Sequence, residues 1–129
     1  MIKEVKILLF SNNGSCPVVQ NQAFIIDAFQ GLACEVSCID DLEELTEALV
    51  DQEPTLLIVT ADGAEGMEAV YRARERRPCI PVFWFSDDKD FGVLSYRLNC
   101  AYFSTKPITA EKMTSAVQRC KRLGICYGR

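Results

Sequence analysis

The sequence contains no histidine, no CxxC pair and no long apolar run. Histidine is the commonest general base in enzymes, so its absence excludes a hydrolase or transferase that depends on one. Without histidine, a zinc site would need four scattered thiolates. A membrane-spanning helix needs ~20 apolar residues, and the start of the chain also lacks the cleavage site of a signal peptide. These absences predict a cytoplasmic, non-enzymatic protein with no membrane contact.

Basic charge is also scarce. The chain has 14 Lys and Arg against 18 Asp and Glu, a net charge of -4, and its pI is about 4.8. Such a surface repels phosphate backbones, which argues against direct nucleic-acid binding by this segment. A basic cluster near one predicted helix end favours a solvated surface. It consists of Arg72, Arg74, Arg76 and Arg77.

Cysteine is the one residue type with reactive chemistry that is well represented. An odd number of cysteines without a secretory signal argues for reduced thiols. We expect them to be buried structural thiols, with metal or redox chemistry as the alternative. We expect no bound metal and no cofactor. The seven positions are Cys16, Cys34, Cys38, Cys79, Cys100, Cys120 and Cys126.

The length of 129 residues, of which 49% are hydrophobic and 25% charged, suits one globular domain covering 1–129. Apolar runs typical of strands alternate with segments of helical periodicity, which demands parallel strands joined by right-handed crossovers. The predicted strands are 5–10, 33–39, 56–59, 82–85 and 101–103, and the predicted helices are 17–30, 42–53, 65–77, 88–98 and 110–123. A flavodoxin-like order of 2-1-3-4-5 is expected, although alternation alone does not determine it.

Local patterns give more detailed expectations for three helices. Asp40 or Asp41 can cap the second helix, and Thr109 can cap the fifth. In the third helix, the spacing predicts that Tyr71 faces inward together with Met67 and Val70. The fifth helix has an apolar face at i, i+3, i+4 and i+7. That face consists of Met113, Ala116, Val117 and Cys120.

Polar side chains follow four of the predicted strands. In an open parallel sheet, ligands collect at the carboxyl ends of the strands, near the point where the strand order reverses. Four polar groups at four such ends therefore predict a site there. The groups are Ser11-Asn12, Thr60-Ala61-Asp62, Ser86-Asp87 and Thr105-Lys106-Pro107.

Three segments carry a resemblance to a known family. PTLLIVT at 54–60, IPVFWFS at 80–86 and YFSTKP at 102–107 resemble the third, fourth and fifth strands of response-regulator receiver domains. The resemblance extends from about residue 6 to residue 123. It implies a magnesium ion held by an acidic pair after the first strand and a phosphoryl group accepted by an Asp ending the third. It also implies that a Ser or Thr after the fourth strand and a Lys after the fifth contact the phosphoryl oxygens.

The sequence departs from that pattern at its acidic positions. Ser11 and Asn12 stand where the acidic pair is expected, so a hard cation lacks its main anchors. Thr60 stands at the acceptor position, and a hydroxyl without an adjacent base is a poor nucleophile. Ser86 and Lys106 match the family in type. The resemblance therefore implies a degenerate phosphorylation pocket.

Three readings of the remaining pocket residues stay open. Asp62, two residues beyond Thr60, either accepts phosphate in place of the missing Asp or belongs to an Asp-Gly turn, which we favour. Lys106 either retains an anion site or pairs with Asp62, and the ion pair is the favoured prediction. Phe103 occupies the position of the receiver switch aromatic, and we expect it to be fixed in the core.

The leading functional hypothesis is a regulatory module that acts through protein contacts and not through phosphorylation, as part of a two-component-type transcriptional regulator. The resemblance places its contact surface on the fourth helix, fifth strand and fifth helix, 88–123. That surface serves a protein partner or a second copy. Candidate anchors are Phe91, Leu94, Tyr96 and Tyr102. The alternatives are a phospho-accepting receiver that uses Asp62, or a flavodoxin-like domain that binds a small anion or nucleotide.

Overall fold

The computed structural model describes residues 4–11, 18–29 and 32–123. These residues form one five-stranded parallel sheet in the order β2-β1-β3-β4-β5, which confirms the predicted flavodoxin-like fold. The strands are β1 (Glu4–Phe10), β2 (Ala33–Ile39), β3 (Leu56–Val59), β4 (Val82–Ser86) and β5 (Tyr102–Thr105). The helices are α1 (Val18–Ala28), α2 (Leu42–Asp51), α3 (Gly63–Arg76), α4 (Phe91–Arg97) and α5 (Ala110–Leu123).

The sheet is buried most deeply at its centre. Every residue of β3 and of β4 is buried, as expected for continuous apolar runs covered by helices on both faces. The edge strand β2 is only partly covered along its length, which matches its alternating sequence. The two central strands β3 and β4 are therefore held by core packing on both faces. Thr60 and Ser86 lie at their carboxyl ends.

Two apolar cores lie on opposite faces of this sheet. On one face, α1 packs through Ile25 and Phe29 and α5 packs through its predicted apolar face. On the other face, α2, α3 and α4 cover the sheet, with Trp84 of β4 as the largest buried side chain. The four residues predicted for the inner face of α5 are all buried. Helical spacing was thus sufficient to orient that helix.

Two helix caps also agree with the sequence. Asp41 caps α2, because its carboxylate accepts a hydrogen bond of 2.9 Å from the Glu44 N–H. Thr109 caps α5 by accepting a 3.1 Å bond from the Lys112 N–H. Each cap satisfies one of the backbone donors that a helix leaves unpaired at its start.

Helix α3 differs from its prediction. It starts at Gly63, and its buried positions are Gly66, Ala69, Val70 and Ala73, while Met67 is only partly buried. Tyr71 is 41% exposed, so the prediction that it faces inward is wrong. The small residues let α3 lie close to the sheet, and this close approach leaves no room for a tyrosine ring on the inner face.

The basic cluster near the end of α3 is also not simply a solvated surface. The Arg74 guanidinium donates hydrogen bonds to the carbonyl oxygens of Leu98 at 2.6 Å and Ile80 at 2.9 Å. It also donates to those of Pro78 at 3.0 Å and Asn99 at 3.3 Å. Since Leu98 and Asn99 follow α4, the cation joins the last turn of α3 to the negative end of the α4 dipole. Arg74 therefore holds the end of α3 to the end of α4, a role that the composition of the cluster could not predict. We call this set of hydrogen bonds the Arg74 clamp.

No helix within the described ranges is long and apolar enough to cross a membrane.

Gly66 offers a sharp test of the close approach of α3. A Cβ at this position would collide with the Ala61 carbonyl oxygen, so we expect Gly66→Ala to lower the free energy of unfolding by about 1–3 kcal/mol. Urea unfolding would measure the change. Gly92→Ala is the matched control, because its Cβ would lie 3.7 Å from the Phe103 ring. There, helix propensity should leave stability unchanged or raise it by up to about 1 kcal/mol.

The Arg74 clamp generates a second prediction. Arg74→Met keeps the aliphatic stem but removes the charged donors, and should lower the free energy of unfolding by about 2 kcal/mol. The exposed Arg76 of the same helix supplies the control, since Arg76→Met should change stability by no more than about 0.5 kcal/mol. Equal effects of the two substitutions would show that the carbonyl contacts of Arg74 contribute little.

Candidate functional site

The polar strand ends predicted from the sequence meet at one edge of the sheet. Ser86 of β4 pairs with Thr105 of β5, and the Lys106 N–H donates to the Ser86 carbonyl at 2.9 Å. The Thr60 N–H donates to the Phe10 carbonyl at 2.8 Å, which places Thr60 beside the end of β1. The expected constellation is therefore present, except that Asn12 lies outside the described residues.

The hydroxyls at the ends of β1 and β3 are withdrawn from solvent. Thr60 is 1% exposed, and its Oγ1 lies 3.2 Å from the Phe10 carbonyl oxygen, to which it donates. A hydroxyl committed to a backbone acceptor is poorly placed to attack a phosphoryl donor. Ser11 is likewise buried, and its Oγ has no hydrogen-bond partner. Neither side chain carries a charge that could anchor a divalent cation.

Lys106 forms the predicted ion pair with Asp62. The ammonium nitrogen lies 2.8 Å from Asp62 Oδ1, and the Lys106 and Asp62 side chains are 21% and 40% exposed. Oδ1 itself is inaccessible to water, and the ammonium approaches it outside hydrogen-bond geometry, so the contact is electrostatic. The one cation expected to attract a phosphoryl group is thus already neutralised by a carboxylate of the same chain.

The loop that presents Lys106 is fixed by a residue that the sequence did not single out. Lys112 of α5 donates from Nζ to the Thr105 carbonyl at 2.6 Å and to the Pro107 carbonyl at 3.0 Å. The peptide bond between Lys106 and Pro107 is cis. The two bonds from Lys112 hold the backbone on both sides of Lys106. A lysine seven residues after the end of a strand offers no sequence signal for this role.

Ser86 is fully buried and directed toward its own loop. Its Oγ accepts a 3.1 Å hydrogen bond from the Asp88 N–H and lies 3.5 Å from Asp87 Oδ1. Asp87, Asp88 and Asp90 are exposed in this loop. Across 4–11, 18–29 and 32–123, no group of three His, Cys, Asp or Glu side chains is arranged to hold a metal ion.

Phe103 lies in an aromatic cluster on the α3–α4 face of the sheet. Its ring meets the Trp84 indole edge-on, with centroids 5.6 Å apart, and Trp84 stacks on Phe91 of α4 at 5.1 Å. Trp84 is fully buried, and its Nε1 has no hydrogen-bond partner. Phe103 is partly buried and packs against the apolar core. The ring thus packs against Trp84 on one side and also lines the groove between α4 and β5, and the expectation that it is fixed stays a prediction.

The predicted contact residues divide into inward and outward groups. Phe91 and Leu94 are partly buried and pack against the core, and Tyr102 lies against the Phe83 and Phe85 rings. Tyr96 is 84% exposed, and Val93, which the sequence analysis missed, is 66% exposed. A groove of about 320 Å³ separates α4 from β5 beside Tyr96. The exposed apolar surface is therefore smaller than predicted and belongs to α4.

Among the described cysteines, the prediction of reduced thiols holds for four and fails for Cys120, and the prediction of burial fails for Cys38 and Cys79. Cys38 and Cys79 are exposed, and Cys34 and Cys100 are only partly buried, all four being free. Cys120 is fully buried but disulfide-bonded. Cys38 is exposed because it lies on the edge strand β2, and Cys79 is exposed because it lies in the loop between α3 and β4. Burial raises the pKa of Cys100 to about 12, against an opposing effect of the Arg74 guanidinium.

Comparisons with solved structures support the same architecture. A CheY-like response regulator receiver domain protein from Methanospirillum hungatei JF-1 matches with a TM-score of 0.68 and 15% identity, over 93% of this chain and 94% of that one. A response regulator receiver domain protein from Clostridium thermocellum matches with a TM-score of 0.68 and 19% identity, over 93% of this chain and 97% of that one. NtrX from Brucella abortus matches with a TM-score of 0.69 and 18% identity, over 95% of this chain but only 27% of the NtrX chain. No protein-family model matches the chain, and no curated protein matches it. At these identities the likeness establishes the fold.

The raised pKa of Cys100 predicts a difference in thiol reactivity. Relative to the ordinary value of 9.0, a pKa of about 12 lowers the thiolate population at about pH 8 on the order of a thousandfold. Brief treatment with iodoacetamide should therefore modify the exposed Cys38 and Cys79 and leave Cys100 unmodified, as read by peptide mass spectrometry. Comparable labelling of Cys100 in the folded protein would contradict the buried environment of this thiol.

Proposed function

We propose that the chain is a receiver-like regulatory domain of a two-component-type system that acts through protein contacts without aspartyl phosphorylation. The observation that carries the proposal is the Lys106–Asp62 ion pair beside a buried Thr60. The chain has the fold of receiver domains, but the positive charge of Lys106 at its strand-end site is already paired with Asp62.

The receiver part of the proposal is supported by the fold and by the place of the polar residues. Solved receiver domains share the architecture over nearly the whole chain. Ser86 and Lys106 lie on neighbouring strand ends, where the resemblance implies phosphoryl contacts. Signalling in a two-component system is therefore the function that best accounts for both the fold and the residues retained.

The absence of phosphorylation is proposed from electrostatics. An Asp nucleophile and an anionic phosphoryl donor repel each other unless a divalent cation and a lysine neutralise the charge. Ser11 supplies no charge, Thr60 Oγ1 is bonded to the backbone, and Lys106 is paired at 2.8 Å. In a phosphorylated receiver these three positions would hold the cation, accept the phosphoryl group and neutralise its charge. In this chain each residue is poorly suited to that task.

Output through protein contacts is proposed from the exposed side chains of α4. Tyr96 presents aromatic surface at the groove next to β5, and Val93 of the same helix presents exposed apolar surface. Tyrosine is enriched among the residues that contribute most to binding. The partner is a protein, either an effector domain or a second copy of this chain, and direct nucleic-acid binding by this segment is not part of the proposal.

The context of such a domain is a transcriptional regulator in the cytoplasm. The same fold occupies 27% of the NtrX chain from Brucella abortus, whose structure was determined in complex with ADP. A domain of this size thus occurs as one part of a longer chain. The role proposed here is regulatory and non-enzymatic.

Treatment with acetyl phosphate and Mg²⁺ tests the proposal. We expect no mass gain of one phosphoryl group in the intact protein, while a conventional receiver treated in parallel is modified. The physical reason is that Ser11 and Asn12, where the acidic pair would stand, carry no carboxylate to hold the cation against the donor. Intact-mass spectrometry at neutral pH provides the measurement.

The matched variant is Asp62→Asn. If the wild-type chain gained a phosphoryl group and the variant did not, the domain would be a phospho-accepting receiver that uses Asp62. That result would replace the proposed contact-only function with the alternative raised by the sequence.

A further inference from the structure

Strand β2 forms one edge of the sheet, and its outer side is open. It pairs with β1, and no other strand of the described residues meets it. It runs over seven residues, Ala33–Ile39, and contains no proline and one charged side chain, Glu35. Natural sheets usually shorten, charge or cover such an edge, because its unpaired N–H and C=O groups accept a further strand.

The backbone groups that β2 directs outward can be identified. The Ser11 N–H donates to the Ile39 carbonyl at 3.0 Å, so Ile39 directs its backbone groups toward β1. Because this direction alternates along a strand, Cys34, Val36 and Cys38 direct their N–H and C=O groups away from the sheet. Val36 is the midpoint of β2, and the two cysteines lie symmetrically about it.

The sequence of β2 is self-complementary about that midpoint. A second copy of β2, antiparallel and related by a two-fold axis at Val36, would place Cys34 opposite Cys38 and Glu35 opposite Ser37. This register pairs the full length of both strands and forms about six hydrogen bonds between them. Like charges directly opposite each other destabilise a strand pair, and in this register neither Glu35 faces the other.

Helix α1 presents an exposed apolar side chain on the same side. The Gln22 side-chain amide donates to Cys38 Sγ at 3.2 Å, so this side of α1 faces β2. Ile26 lies one turn beyond Gln22, on the same side of the helix, and is 55% exposed. One turn advances the helix by about the length of two strand residues. Since α1 runs antiparallel to β2, that step brings Ile26 near Val36.

We propose that two copies of this chain associate through their β2 edges, antiparallel and with the two-fold axis at Val36. The two five-stranded sheets then form one continuous sheet, and Ile26 of each copy lies beside Ile26 of the other. The partner is a second copy because one two-fold axis satisfies the outward backbone groups, the charges and the exposed isoleucine together. β2 and β5 are opposite edges of the sheet, so this interface goes beyond the proposed function and is independent of it.

Sedimentation velocity over a concentration series tests the association, in a reducing buffer that prevents disulfide cross-links. We expect the wild-type chain to pass from monomer to dimer as its concentration rises. A wild-type chain that stays monomeric over the whole series would overturn the proposal. Circular dichroism confirms that each variant used below is folded.

Ile26→Lys tests the apolar part of the interface. We expect it to raise the dissociation constant of the dimer by at least about tenfold, because two ammonium groups would meet where two isoleucines pack. Val50→Lys is the matched control, since Val50 is 52% exposed. It lies one turn after Thr46, which contacts Arg72 of α3, and therefore on the side of α2 that faces away from the β2 edge. Equal effects of the two substitutions would contradict the interface.

Charge at residue 37 tests the register. Ser37→Glu places two like-charged pairs across the interface, whereas Ser37→Lys places two opposite-charged pairs there. We expect the lysine variant to dimerise about tenfold more tightly than the glutamate variant. The control is the same pair of substitutions at the exposed Ser115 of α5, one turn before the Arg119 that lines the groove beside β5. The same difference at both serines, or tighter association of Ser37→Glu, would rule out this register.

Tyr96→Glu separates the β2 interface from the α4 surface. Tyr96 is exposed on α4, so its substitution should leave the dissociation constant of this dimer unchanged, whatever it does to the binding of an effector domain. Loss of the dimer in Tyr96→Glu, with Ile26→Lys unaffected, would assign the association to the α4 surface and overturn the β2 interface.

Discussion

Charge neutralisation at the carboxyl edge of the sheet is the constraint on which the site depends. Parallel strands end at the same edge, so Lys106 after β5 and Asp62 after β3 are brought within 2.8 Å of each other. A lysine there attracts an anion, and this chain supplies that anion itself. The side chains of Ser11 and Thr60 at two other strand ends are uncharged and buried, whereas Asp87 after β4 is exposed. The charge of Lys106 is thus neutralised by a carboxylate of the same chain.

This ion pair links the fold to the proposed role. In that proposal, the domain keeps the receiver-like sheet and helices and acts through its exposed α4 surface. Regulation in that proposal depends on which protein contacts the α4 surface. Arg74, bonded to four carbonyl oxygens, and the Trp84–Phe91 stack hold α4 from its two ends. Trp84 also meets the Phe103 ring edge-on, with centroids 5.6 Å apart.

The sequence was most informative where periodicity and burial coincide. The apolar run of β3, the inner face of α5 and the caps Asp41 and Thr109 all follow from local rules. It misplaced Tyr71, because the distance between α3 and the sheet depends on small residues that pack across elements. It also missed the contacts of Arg74, because their carbonyl acceptors at Leu98 and Asn99 are distant in sequence. It also predicted the wrong environment for most cysteines. An exposed Cys38 or a partly buried Cys100 is decided by neighbours that are distant in the chain.

For the site, the sequence by itself determined which residue types stand at each strand end: Ser11, Thr60, Ser86 and Lys106, with Asp62 nearby. Those identities already place no carboxylate at residues 11 and 60, because charge is a property of the residue. Only the tertiary structure decided how the residues are used: Thr60 bonds to the backbone, Lys112 fixes the Lys106 loop, and Asp62 leaves its N-cap for the ammonium. Each of these outcomes depends on a competition between partners far apart in sequence, which only the folded chain brings together.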